Sequence, residues 1–342
     1  MADLPTLVFV PGSWHKPTCY DKIITLLQDQ YKLQCVSISL PSTANNPAAT
    51  FKDDLDAART AISNETSHGR DVVVIAHSYG GMVGNSAIKG IARKDVTSNT
   101  NTNINTNNTP TPASTQGAVI GLILIASGFT LTGLAFMDPF FGRPPPAWRI
   151  NKETGYAELV TPPRELFYHD VPEKEAEYWV SQLTTQSLKA LFEGGEHTYA
   201  GWRDVPVWYV GTVEDRGLPV LVQRMQVGMA REMGGVIEHR ELETSHSPFL
   251  SRPLETVGVI AEAVGGFVGK ELVRYSSGST DSTSEGGDQR AVATVPGARF
   301  WQPFSWLKFG LPLAFGHLLG RGILLFGWGR RVWRTRFGLR SL

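Results

Sequence analysis

Val72-Val73-Val74-Ile75-Ala76-His77-Ser78-Tyr79-Gly80-Gly81 is the stretch on which the reading of this chain turns. Its first five residues are apolar without alternation, and four of them are β-branched, as a strand buried on both faces of a parallel sheet requires. The run passes through Ser78 into Gly80, where a helical pattern begins that is expected to reach Ala92. Small residues two before and two after the serine, here Ala76 and Gly80, suit a strand-to-helix turn so tight that larger side chains would strike its neighbours. Such a nucleophile elbow holds the serine hydroxyl out beyond the carboxyl edge of the sheet, where a helix N-terminus favours developing negative charge. The competing reading, a serine that merely caps a helix, does not explain the buried strand running into it.

Outward from the elbow, strand-like and helix-like runs alternate. Thr6 to Val10, Lys32 to Ser39, Val72 to Ala76, Ala118 to Ala126, Val205 to Val210 and Val236 to Leu242 read as strands, and Cys19 to Gln30, Lys52 to Ser63 and Leu254 to Val273 as helices. Alternation of this kind predicts an α/β fold: a mostly parallel sheet with right-handed crossovers, covered by helices. Residues 1–275 are assigned to one catalytic domain. Within it, the Asn- and Thr-rich segment 97–116 cannot bury enough apolar surface to offset its ordering entropy and is expected to be a disordered insertion. Residues 127–203, where the strand pattern stops, are expected to form an inserted helical cap.

Lys plus Arg equals Asp plus Glu at 32 each, which gives no reason to expect a nucleic acid or other polyanion as partner. The balance hides an asymmetry, because from Gly297 onward there are eight basic residues and no acid. Residues 276–297, rich in Ser and Gly, read as a flexible linker. Residues 298–342 combine Trp301, Trp306, Trp328 and Trp333 with five arginines from Arg330 to Arg340, the composition of a membrane-interface segment. The apolar run Phe309 to Gly329 approaches spanning length, but His317 and Arg321 near its middle would be costly in hydrocarbon. Deleting 276–342 is expected to leave the catalytic domain intact. Cys19 and Cys35, the only cysteines, lack both a disulfide framework and metal-ligand spacing. With no basic n-region at the N-terminus, a cytoplasmic protein is expected, its tail an interfacial helix that contacts membrane, a span, or a poorly ordered appendage.

A serine nucleophile needs a base, and the base an orienting carboxylate. Glu214 and Asp215 both stand beyond the strand that ends at Val210 and are rival acids. Of eight histidines, His246 alone sits on a loop after the last strand, whereas His239 lies within that strand and His68, His169, His197 and His317 lie elsewhere. The oxyanion of a tetrahedral intermediate calls for backbone donors. Tyr79 N–H, directly after the nucleophile, is one candidate and Ser13 N–H, in the loop after the first strand, is the other. Gly12, Trp14 and His15 of that loop are expected to border the substrate.

Taken together, Leu7-Val8-Phe9-Val10-Pro11-Gly12-Ser13-Trp14-His15, Ala76-His77-Ser78-Tyr79-Gly80-Gly81-Met82, Glu214-Asp215-Arg216-Gly217-Leu218-Pro219 and Ser245-His246-Ser247-Pro248-Phe249-Leu250-Ser251-Arg252-Pro253 resemble the α/β-hydrolase superfamily. Within it they are similar to the plant methylesterase and hydroxynitrile lyase group and its fungal relatives. The resemblance covers roughly residues 5–270. It implies the α/β-hydrolase fold, a triad of Ser78, Asp215 and His246 with Asp215 preferred over Glu214, no cofactor and no metal, and a small hydrophobic ester or lactone as substrate, in fungi a product of secondary metabolism. Pro11 replaces the group's usual histidine before Gly12. Lyases of the group carry a lysine where Ser247 stands and a threonine where Gly12 stands, so hydrolysis is the reading favoured. Dehalogenases and epoxide hydrolases need Asp in place of Ser78. A C–C hydrolase, a thioesterase or a non-catalytic receptor for a small ligand remains compatible with the same residues.

Overall fold

The computed structural model describes residues 4–93, 116–275, 293–297 and 301–336. Of the expected insertion 97–116, all but Gln116 lies outside them, as does most of the expected linker. In chain order the structure runs β1 (Thr6–Val10), α1 (Asp21–Tyr31), β2 (Cys35–Ser37), α2 (Phe51–Ser67), β3 (Val72–His77), α3 (Gly80–Ala87) and β4 (Val119–Ile125). Next come β5 (Trp148–Asn151), β6 (Tyr156–Leu159), α4 (Pro163–Phe167), α5 (Glu173–Gln182) and α6 (Leu188–Phe192). The sheet then resumes with β7 (Val207–Thr212), α7 (Val220–Glu232), β8 (Ile237–Leu242), α8 (Pro248–Ser251) and α9 (Pro253–Val268).

β2, β1, β3, β4, β7 and β8 lie side by side in that order, every pair parallel. The crossover connections lay helices on both faces, and β1, β3 and β4 are accordingly buried along their whole length. This is the α/β-hydrolase fold. The order reverses direction at β1, so loops from successive strands meet beyond the carboxyl edge of β1, β3, β7 and β8, the place where open α/β sheets build their sites.

Local chemistry sets several boundaries. Thr50 and Asp53 form a capping box at the start of α2, with Thr50 N–H donating to Asp53 Oδ2 at 2.8 Å. α9 stops at Gly269, which adopts φ +69° and so ends the closing helix five residues before the predicted Val273. α3 likewise ends at Ala87 rather than Ala92. The segment between β4 and β7 is not wholly helical. β5 and β6 pair antiparallel as a hairpin that the sequence reading missed, because four-residue strands on a small, separate sheet show little periodicity.

The tail differs most from expectation. Pro303–Ser305 forms α10, followed by a π-helical turn Trp306–Gly310 and α11 (Leu311–Arg336). α11 packs along α7, with Gly316 and Gly228 admitting the facing backbones: a Cβ on Gly316 would lie 2.0 Å from Met225 O, and one on Gly228 2.3 Å from Leu313 O. The buried guanidinium of Arg224 holds Glu241 of β8 in a two-pronged ion pair at 2.7 Å and also donates to Lys308 O at 2.8 Å. Thr294 exchanges two backbone hydrogen bonds with Glu241 on the outer edge of β8. Residues 293–297 and 301–321 are therefore built onto the body, which corrects the expectation of a linker running to 297 and a tail separable from the catalytic domain. Composition predicted an appendage because a small-residue seam between two helices carries no signal in either helix alone.

Candidate active site

Ser78 stands one residue past the end of β3 at φ +51°, left-handed backbone that costs a non-glycine residue of order 1 kcal/mol or more. The surroundings hold it there. Ser78 N–H donates to Ile125 O at 3.1 Å, and Ser127 Oγ donates to Ser78 O at 2.6 Å. A Cβ on Gly80 would meet Pro11 O at 2.3 Å, and one on Gly12 would lie 2.9 Å from His77 Nδ1 and 3.0 Å from Ser78 Cβ. The β1 loop thus crosses the elbow at a distance only glycine allows, and any larger residue would push the two apart.

His15 N–H donates to Gly12 O at 3.3 Å, which turns the Gly12–Ser13 peptide so that Ser13 N–H points the opposite way. Trp14, at φ +62°, completes the turn. Among the described residues neither Ser13 N–H nor Tyr79 N–H takes part in a hydrogen bond. Tyr79 N–H, just before α3, is one of the donors that a helix start leaves unsatisfied.

The side chains expected to border a substrate serve the loop itself. Trp14 Nε1 donates to Ala157 O at 3.0 Å. Burial lowers His15 to a pKa of about 4, so the ring is neutral. Its Nδ1–H donates to Ser13 O at 2.7 Å, which leaves Nε2 to accept from Tyr168 O–H at 2.8 Å. His77 is held neutral by burial too, and its Nε2–H donates to His246 O at 2.9 Å.

Asp215 and His246 come together. His246 Nδ1 lies 2.7 Å from Asp215 Oδ2, with both side chains almost wholly buried. Five donors converge on the carboxylate: Thr212 Oγ1, His246 Nδ1, Gln223 Nε2, Gly217 N–H and Leu218 N–H. Donors converging in this way fix the orientation of the carboxylate, and its contact with Nδ1 defines which imidazole nitrogen carries the proton. The Glu214 side chain is exposed, and the residue contributes only its backbone: the N–H donates to Thr244 O at 3.0 Å and the carbonyl lies 2.9 Å from His169 Nε2. Ser78 Oγ makes no hydrogen bond among the described residues, and apo sites often close that bond only around substrate.

Several supporting groups had no signal in the sequence. The four residues from Phe167 to Asp170 touch three loops at once. Phe167 O accepts from Ser245 Oγ at 2.9 Å, Tyr168 O–H reaches His15, His169 reaches Glu214 O, and Asp170 Oδ2 accepts from Ser245 N–H at 2.9 Å. Phe167 also lies with its ring centroid 5.6 Å from that of His246 and 6.0 Å from that of Trp14. These contacts span tens of residues, so only the folded chain brings them together. Within local reach of Asp215 are only Thr212, three residues before it, and the Gly217 and Leu218 N–H groups, two and three residues after it.

Tyr79 O–H donates to Asp54 Oδ2 at 2.7 Å, and Asp54 Oδ1 accepts from Ser42 N–H at 2.9 Å. Burial outweighs these bonds and raises Asp54 to a pKa of about 6. The folded state therefore binds a proton that the unfolded chain, with an ordinary value of 3.8, has already released. Below about pH 4 both states are protonated. Stability is lost as pH rises from about 4 to about 6, on the order of 3 kcal/mol, and is level above that. Urea unfolding of Asp54→Asn at a series of pH values is expected to lack this fall. An unchanged pH slope would show that Asp54 is ionised throughout.

Comparison with known proteins agrees with this architecture. The model of the alpha/beta hydrolase family matches residues 7–259. The chain is 28% identical over 264 residues to alpha/beta hydrolase nvfD of Aspergillus novofumigatus, covering 76% of this chain and 97% of that protein. Among solved structures, a pyrethroid hydrolase from Sphingobium faniae superposes with a TM-score of 0.56 at 18% identity, over 77% of this chain and 98% of that one. Polyneuridine aldehyde esterase does so with a TM-score of 0.56 at 17% identity, over 76% and 99%. At such identities the solved structures speak for the fold alone. With the family model spanning most of the chain and the sheet laid out as described, this protein belongs to the alpha/beta hydrolase family.

Proposed function

We propose that the protein hydrolyses a small apolar carboxylic ester or lactone through an acyl-enzyme on Ser78, acting on the cytoplasmic side. The observation that carries this reading is the buried 2.7 Å Asp215–His246 bond at the carboxyl edge of the sheet, next to a serine in left-handed backbone and two unengaged N–H groups. His246 Nε2 takes the Ser78 proton as Oγ attacks the substrate carbonyl carbon. Ser13 N–H and Tyr79 N–H receive the developing oxyanion. Collapse of the intermediate expels the alcohol, which leaves with the proton from His246, and water repeats the sequence to free the acid. Asp215 holds the imidazole and stabilises its cation without taking a proton.

An apolar substrate is suggested by the aromatic packing around the β1 loop and the elbow, where Trp148 lies 6.4 Å from Trp14 and Phe136 5.5 Å from Tyr79, centroid to centroid. The names of two similar structures, a hydrolase and an esterase, support ester hydrolysis as the reaction class.

The test is a panel of p-nitrophenyl, methyl, lactone and thioester substrates, combined with fluorophosphonate labelling. We expect a burst of p-nitrophenol equal to the enzyme concentration and a covalent adduct on Ser78. Tight binding of panel members with neither turnover nor labelling would favour a receptor instead, and preference for the thioester would move the substrate class.

A further inference from the structure

The two polar residues that interrupt the apolar run of the C-terminal helix are both tied to the body by one ion-pairing group at the flank of the seam, Arg321 from a largely exposed position. His317 Nδ1 lies 2.9 Å from Glu232 Oε2 and Arg321 Nε 2.6 Å from Glu232 Oε1, so one carboxylate at the end of α7 holds both. They share their side of α11 with Gly316 and Gly320, which press on Met225, Met229 and Glu232. The opposite side is a stripe at helical spacing, Leu311, Phe315, Leu318 and Leu325, each more than half exposed. α7 ends at Glu232, level with Arg321, so the turns of α11 from Gly322 to Arg336 run on for about 20 Å beyond the end of α7, at 1.5 Å per residue. Four arginines, at 330, 331, 334 and 336, occupy the last two turns, and no acid follows residue 297. A helix with its polar groups tied to the body, an apolar stripe outward and a basic end has the layout of an interfacial anchor rather than a span.

We propose that α11 is a monotopic membrane anchor, and that its exposed stripe and basic end seat the protein on an anionic bilayer surface with the catalytic body above. The occupant is lipid rather than a second copy of the chain, because an uninterrupted basic end repels its own copy and attracts an anionic leaflet. Spanning is disfavoured by geometry: it would strip His317 and Arg321 from Glu232 and separate the close-packed glycine seam.

Full-length protein is to be floated with vesicles of phosphatidylcholine alone and of phosphatidylcholine with phosphatidylserine, at low and high salt. The same is done for Phe315→Ser/Leu318→Ser/Leu325→Ser and for Arg330→Gln/Arg331→Gln. All three surface leucine and phenylalanine side chains are exposed, so the fold should survive, and fluorophosphonate labelling of Ser78 checks it independently of any substrate. Wild type is expected to float with the anionic vesicles, to be released by salt, and to lose binding in the triple variant. The double arginine variant should bind about 25-fold more weakly, about fivefold per charge. No flotation of wild type, or equal flotation of the triple variant, would overturn the proposal. A wild-type dimer in gel filtration that the triple variant abolishes, without vesicle binding, would overturn it in favour of self-association. Resistance of wild type to alkaline extraction and to salt would overturn it in favour of a span.

Discussion

Ser78→Ala is expected to lower kcat for ester hydrolysis by about 10⁵- to 10⁶-fold, and His246→Ala by a similar factor, with little further loss in the double variant. The two act as one unit: a hydroxyl without a base is a poor nucleophile, and a base without the hydroxyl has no acyl acceptor. Asp215→Asn is expected to cost about 10⁴-fold, because an amide in the 2.7 Å position would place a donor against His246 Nδ1–H and favour the wrong tautomer. Glu214→Gln should be near neutral, since the Glu214 side chain is exposed and only its backbone N–H and carbonyl are used. Steady-state kinetics, with circular dichroism as the control for folding, separates these cases. Wild-type rates for both Ser78→Ala and His246→Ala would end the hydrolase reading, and a large loss in Glu214→Gln with none in Asp215→Asn would reassign the acid.

The largest effect on stability is expected at Arg224. Its two-pronged bond to Glu241 is buried on both sides, and the guanidinium also lies 4.5 Å from the Phe309 ring centroid. Arg224→Ala would leave a carboxylate in the interior without a partner, at a cost of about 3–5 kcal/mol. His239, whose ring nitrogen is 3.5 Å from Glu241, does not replace the cation, since burial and the neighbouring arginines depress its pKa to about 3. The double variant Arg224→Met/Glu241→Met should recover much of the loss, because both charges disappear together. Chemical denaturation of the three proteins measures the difference. Arg224→Ala within 1 kcal/mol of wild type would mean that water reaches Glu241 freely. Limited proteolysis should also show α11 cut earlier in Arg224→Ala, because Arg224 is the bond to Lys308 O.

Sequence alone carried the chemistry that depends on short range. A five-residue buried strand followed by Ser78 and two glycines already defines an elbow, because sterics between adjacent peptides leave few other ways to make that turn. The parallel α/β sheet followed from alternation, and the placing of Asp215 and His246 on late loops followed from chain order. Rival acids two atoms of backbone apart could not be told apart that way. Burial and five converging donors distinguish Asp215 from the exposed Glu214, and both are properties of the packed interior. The same holds for Asp54 beneath Tyr79, for the Phe167–Asp170 segment that ties three loops, and for the seat of α11 on α7. Periodicity and turn chemistry are written over a few neighbouring residues, so the sequence by itself determined the sheet, the elbow and the loops that carry the candidate acid and base. Partners tens of residues apart meet only after the sheet has set their distance, so the tertiary structure alone decided which groups hold the site in place and which face the tail turns outward.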